Sequence, residues 1–232
     1  MRKNCARKWL HLVIDLLPIL IIPIFAIWEI NHKENENITV EVENRQVVNF
    51  NQKIKNGDFV NNSNWRTNSD GAVNTVVDNV WYQTFNRAPS YSYQTGIIQN
   101  FDSNAYLLVG HKYFLSYDFC SNQTGLAISA LVSYYDSSTT ITDVDTWYSK
   151  QRIYDVTNTS NRNLFLVYCS NGNLIQADTY IAFRNIYLVD LTVMFGVGNE
   201  PTSVNTFLTM YPLPYYDYTT GIKQLNQQDI YF

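Results

Sequence analysis

The sequence is short of the side chains on which most catalytic sites depend. Three histidines occur in 232 residues, at His11, His32 and His111. They fall in an apolar segment, a polar stretch and a turn, and no Ser-His-Asp or Cys-His set can be assembled from them. Cysteine is equally scarce. Cys5, Cys120 and Cys169 show no C-x-x-C spacing and no neighbouring histidine pair, which excludes the usual zinc patterns. Lys and Arg number 16 against 20 Asp and Glu, a net charge of −4. Apart from Arg2, Lys3, Arg7 and Lys8 there is no basic run, which argues against nucleic acid as a partner. A carboxylate pair such as Asp143 and Asp145 lies in a polar loop, whereas glycoside hydrolysis needs two carboxyl groups held about 5–10 Å apart. We expect a non-enzymatic protein.

What the chain has in quantity is tyrosine, 18 residues in a total aromatic content of 15%. Asn and Thr are plentiful and helix formers sparse, the balance of an all-β protein with polar loops. Strand-like runs bounded by turn signals follow one another at Gly71–Val77, Val80–Phe85, Gly96–Phe101, Tyr113–Cys120, Leu126–Tyr135, Gln151–Val156, Leu164–Cys169 and Tyr180–Asp190. That number and spacing suit a jelly-roll β-sandwich. Thr202 or Ser203 can cap a short helix carrying Val204, Phe207 and Leu208, which Pro212 stops. Cys120 and Cys169 each end a strand. If those strands are neighbours they can form a disulfide, and otherwise both are small buried hydrophobes.

The organisation reads as residues 1–30 an apolar anchor helix, 31–46 a polar linker, 47–212 the sandwich and 213–232 a tail. Trp9 to Trp28 is long enough, at 1.5 Å per residue, to cross a bilayer core of about 30 Å. Its centre carries Leu16, Ile21 and Ile22, and Trp9 and Trp28 stand at its ends as an aromatic belt would. Basic residues before it and Glu29, Glu34 and Glu36 after it place the sandwich outside. A cleaved signal peptide would be shorter and end on small residues. Burial of the segment in an apolar protein channel is the other reading, because its charge-free centre is short for a span.

Two stretches carry a resemblance. Asp190-Leu-Thr-Val-Met-Phe-Gly-Val-Gly-Asn-Glu-Pro-Thr202, followed by Phe207, Met210-Tyr-Pro212 and Tyr215-Tyr-Asp-Tyr218, resembles a segment recurrent in tail and minor structural proteins of bacteriophages and prophages. There it closes a carbohydrate-binding-module-like, galactose-binding-like jelly roll. At the other end, Ile54-Lys-Asn-Gly-Asp-Phe59 with Asn64-Trp65 resembles the opening of such modules, and Leu108-Val-Gly-His-Lys-Tyr-Phe-Leu-Ser-Tyr117 one of their internal strands. The resemblance implies a virion protein whose partners are other virion subunits, further copies of itself, or a host-surface polysaccharide. A membrane-anchored bacterial surface lectin built on the same module is the alternative.

For a sugar ligand the candidates are Trp81, Tyr82, Gln83, Tyr91, Tyr93, Asp145, Trp147 and Tyr148, rings for stacking beside polar groups that fix hydroxyls. The resemblance also implies a structural calcium, for which Asp58 and Asp190 are the candidates. The pattern departs from the modules at Val60 and at Phe183-Arg-Asn185, where they often carry acids.

Overall fold

The computed structural model describes residues 47–49, 52–67, 69, 71–90, 95–211 and 222–224. The apolar segment with Trp9, Leu16, Ile21, Ile22 and Trp28, the linker, Tyr91, Tyr93 and most of the tail lie outside these residues. Among the described residues no helix is long and apolar enough to cross a membrane.

Two antiparallel sheets stack face to face. In chain order the strands are β1 (Val47–Asn49), β2 (Arg66–Thr67), β3 (Ala72–Val77), β4 (Val80–Phe85), β5 (Gly96–Asn100), β6 (Lys112–Ser121), β7 (Ala127–Val132), β8 (Tyr134–Tyr135), β9 (Thr139–Thr140), β10 (Tyr148–Asp155), β11 (Leu164–Cys169), β12 (Thr179–Asp190) and β13 (Ile222–Gln224). One sheet runs β10-β6-β12-β4-β3. The other runs β2-β5-β11-β7-β8, with β9 also on β7, while β1 and β13 form a separate ribbon. This is the jelly-roll β-sandwich that the alternation of the sequence predicts.

Period two decides what each strand buries. On β6, Tyr113, Leu115, Tyr117 and Phe119 face the core, as do Ile181, Phe183, Ile186 and Leu188 on β12. The facing sheet supplies Ile97, Ile128, Ala130, Val132, Phe165 and Val167. β12 keeps its inward set in phase only through a bulge between Arg184 and Tyr187, where Asn185 takes φ 52°. The expected single strand Leu126–Tyr135 is split, because Ser133 turns to φ 63° and begins a new strand.

Strand β12 ends at Asp190 as its pattern gives, and a short helix not expected from the sequence follows at once. Asp190 ends the strand and caps helix α1 (Leu191–Phe195), its carboxylate accepting from the Val193 N–H at 3.1 Å. Gly196 and Gly198 then adopt φ 82° and 83°, which side chains with a Cβ rarely take. Thr192 accepts from the Lys112 N–H at 2.9 Å and donates to Glu200 at 2.7 Å. The second Glu200 oxygen accepts from the Gly198 N–H at 2.9 Å. Ser203 caps helix α2 (Val204–Met210), whose Phe207 ring sits 4.6 Å from Phe114 on the outer face of the five-stranded sheet. The residues that distinguish this segment are therefore the parts of a clasp that closes one end of the sandwich.

Candidate functional groove

The opening stretch builds an open groove. Asn56 turns the chain at φ 49° and Gly57 lies so close to β12 that a Cβ there would meet the Ile186 carbonyl oxygen at 2.1 Å. Phe59 is fully buried and stacks between Trp65 and Trp81, at 5.3 and 5.8 Å. The Asn56 side-chain amide donates to the carbonyls of Asn61 (2.8 Å) and Ser63 (3.0 Å), which ties the 56–64 loop into one conformation. The Trp65 indole N–H donates to the Asn56 carbonyl at 2.8 Å, and its ring meets Phe165 at 6.1 Å.

This loop is held to the end of β5 by one side chain. The Gln99 amide accepts from the Lys55 N–H and donates to the Lys55 carbonyl, both at 2.8 Å. Between loop and strand lies a groove of about 330 Å³ lined by Lys55, Asn64, Trp65, Arg66, Ile98, Gln99, Asn100 and Asp102. Small-ligand clefts typically fall in the range of about 300–1,000 Å³. Trp65 and Ile98 are almost fully buried and form an apolar floor, while Asn64, Arg66, Asn100 and Asp102 are exposed along the walls. Lys55 donates to Asp102 at 2.8 Å. Arg66 has no hydrogen-bond or ion-pair partner among the described residues, and β2–β5 pairing fixes its backbone opposite Ile98.

Two of the sugar-binding candidates are buried, which corrects the expectation for them. Trp81 is 3% exposed and belongs to the central core. Gln83 is fully buried and bridges the sheets, its amide donating to Thr67 at 2.7 Å, to Ser69, and to the Gly96 carbonyl at 3.2 Å. The sequence put both on a strand of mixed polarity. A glutamine that serves as an inter-sheet tie leaves no period-two signature.

Of the remaining described candidates, Tyr82, Asp145 and Trp147 gather at the outer face of the five-stranded sheet, whereas Tyr148 packs against the inner core. Tyr82 meets Tyr180 edge-on at 5.7 Å, and both cover a small cluster of Val80, Cys120 and Ala182 together with Trp147. The Arg184 guanidinium lies 3.9 Å over the Trp147 ring. Asp145 accepts from the Tyr180 hydroxyl at 2.5 Å. Tyr148 stacks on Phe119 at 5.6 Å, and its hydroxyl accepts from the Thr142 and Asp143 N–H groups at 3.0 and 2.9 Å. Much of each ring's stacking capacity is thus taken up within the fold.

The cysteines do not pair. Cys120 and Cys169 are free and lie in different sheets. Cys120 follows the inward Phe119 and so faces outward, while Cys169 faces the core and its thiol donates to the Asn171 side-chain oxygen at 3.1 Å. Burial holds both thiols above their ordinary pKa, Cys169 at about 11.

Of the two calcium candidates, Asp190 is already engaged within the fold. Asp190 is fully buried, within 3.1 Å of the His111 imidazole and engaged by the Val193 N–H. Among the described residues no three His, Cys, Asp or Glu side chains gather where a metal ion could be held.

No family model and no curated protein matches this chain. Among solved structures it is similar to one described as "CBM4 structure and function", at 16% identity and a TM-score of 0.43, over 59% of this chain and 99% of that one. It is also similar to the CBM22-1–GH10 modules of Clostridium thermocellum endo-1,4-β-D-xylanase 10B complexed with xylohexaose, at 16% identity and 0.42, over 60% of this chain. This chain spans about a quarter of that xylanase structure, 28% of its length. A third similar structure is a family 16 carbohydrate-binding module, at 14% identity and 0.41, over 59% of this chain and 98% of that one. Arg66, Lys55, Asn100 and Asp102, absent from the sequence-based site, are the residues this chain's own geometry singles out. Their one sequence signal is position, since Arg66 directly follows the tryptophan of the opening motif.

Proposed function

We propose that the sandwich is a non-enzymatic glycan-binding module whose ligand lies in the groove between the 56–65 loop and the end of β5. The observation that supports it is the groove's composition, a rigid apolar floor of Trp65 and Ile98 with amide, guanidinium and carboxylate groups on its walls. A pyranose carries a rim of hydroxyls, and the amide, guanidinium and carboxylate groups of the walls offer them donors and acceptors. The backbone of both walls is set by hydrogen bonds, so little backbone ordering entropy is lost on binding.

The apolar segment Trp9–Trp28 supports display on a surface, with the module outside. The resemblance of the Asp190–Thr202 segment favours a virion, where the segment would seat among other subunits and many copies would raise a weak single-site affinity. The alternative is a bacterial membrane carrying the module as a surface lectin.

The test is retention of the full chain, in detergent, on host cell walls and a glycan array. We expect binding that Asn100→Ala and Arg66→Ala each reduce without lowering the melting temperature. Loss of binding in Tyr82→Ala and Trp147→Ala, with the groove variants unaffected, would move the site to the outer face of the five-stranded sheet. Absence of binding to any glycan would overturn the proposal.

A further inference from the structure

The groove's charges do not cancel, and on that imbalance we infer that it selects an anionic saccharide, one carrying a carboxylate or phosphate. The inference rests on the glycan-binding reading above and narrows it.

The chain as a whole is acidic, at −4, yet the groove is not. Of its lining residues three are charged, Lys55, Arg66 and Asp102. Lys55 and Asp102 neutralise each other at 2.8 Å. That leaves the Arg66 guanidinium as the unmatched charge, exposed on a strand whose register with β5 sets where it stands. In folded proteins a surface arginine costs little to leave free, so the lack of a partner alone decides nothing. Its setting decides more. It stands beside an apolar floor that partly excludes water, which strengthens its pull on an anion. Its planar fork of N–H donors can engage two oxygens of a carboxylate or phosphate together, and that geometry is less suited to a single hydroxyl. Asn64 and Asn100 on the same walls supply neutral donors and acceptors for the hydroxyls of the same sugar unit. A neutral glycan would use the floor and the amides but leave the guanidinium without a counter-charge.

Lys55 and Asp102 add a control of opposite sign. Because Asp102 is the one anion among the groove's lining residues, removing its charge makes the groove more positive. Arg66→Gln and Asp102→Asn should therefore move anion binding in opposite directions. Both side chains are exposed, and neither replacement disturbs the core.

The experiment measures retention of the full chain, in detergent, on immobilised polygalacturonate, on a poly(glycerol phosphate) polymer and on a neutral β-1,4-glucan, at low and moderate salt. We expect at least one anionic polymer to bind in preference to the glucan, with affinity that falls as salt rises. Arg66→Gln should weaken that binding roughly tenfold, the scale of a lost charge-assisted hydrogen bond. Arg66→Lys should restore only part of it, and Asp102→Asn should strengthen it. The two anionic arms distinguish a carboxylate ligand from a phosphate one. Equal binding of the neutral glucan, unchanged by Arg66→Gln, would overturn the inference while leaving the glycan-binding reading intact. Failure of all three polymers, together with an empty glycan array, would remove both.

Discussion

The Thr192 hydroxyl donates to Glu200 at 2.7 Å, and the same oxygen accepts from the Lys112 N–H at 2.9 Å. One hydroxyl thereby joins the start of β6, the first turn of α1 and the glycine turn beyond it. Asp190 adds a second tie through His111 and the α1 cap. These contacts hold α2 against Phe114, so the clasp is what keeps the outer face of that sheet covered at this end.

The clasp makes stability depend on acid pH. The Thr192 hydroxyl is the main group that holds the Glu200 carboxyl below its ordinary pKa, helped by backbone N–H groups and by Lys112. A depressed folded pKa means stabilisation that is fully present above the unfolded value of about 4.3 and is lost as pH falls through the folded one. Urea midpoints measured from pH 7 down to pH 3 should therefore fall less steeply for Glu200→Gln than for the wild type. Thr192→Val, which leaves the part-buried Lys112 N–H and the Glu200 carboxylate without their partner, should cost about 1–3 kcal/mol. Parallel pH profiles for wild type and Glu200→Gln would show that the clasp contributes nothing through this carboxylate.

The two thiols give a simpler expectation. Cys120 and Cys169 are buried, and the thiolate is the reactive form. With both pKa values raised, native protein at pH 7.5 should react slowly with iodoacetamide at these positions, and denatured protein quickly. Peptide mapping without reductant checks the same residues for a bond. A Cys120–Cys169 disulfide in that map would contradict the placement of the two strands in different sheets.

Much of the sandwich was legible because strand periodicity survives in this sequence. β4 and β11 stand at the bounds their patterns give, and most other strands lie within a residue or two. β10 begins three residues earlier than its pattern suggests, and the Leu126–Tyr135 run is split in two. What periodicity could not show was anything that depends on tertiary neighbours. Asp190 continues the β12 alternation by parity, yet its carboxylate finds the Val193 N–H and starts a helix. Trp81 shares its strand with Gln83 and Thr84, but its parity with Phe85 puts it in the core. The groove was invisible for a further reason. Arg66 and Asn100 line one groove because β2 pairs with β5, and the Gln99 amide adds Lys55 to it through a contact across 44 residues that no local pattern encodes.

A last expectation concerns the charge on the other edge of the sandwich. The Asp136 carboxylate is fully buried, and Arg152 donates to it at 2.5 Å while Lys150 approaches at 3.8 Å. Arg152 is asymmetric with its partner, since 42% of its side chain reaches solvent and its guanidinium also lies 5.2 Å over Tyr154. Breaking the pair from either side is consequently unequal. Arg152→Leu leaves a buried anion with Lys150 at 3.8 Å and the Ser137 N–H and hydroxyl at 2.7 and 3.4 Å, and should cost about 3–5 kcal/mol. Asp136→Leu leaves an arginine that can turn to water and should cost clearly less. The double replacement should recover part of the loss in Arg152→Leu, because apolar groups of similar size can replace a buried ion pair at little cost. Urea denaturation of the three variants measures the cycle. Equal losses for the two single variants, adding fully in the double, would show that the pair is no more than a surface contact.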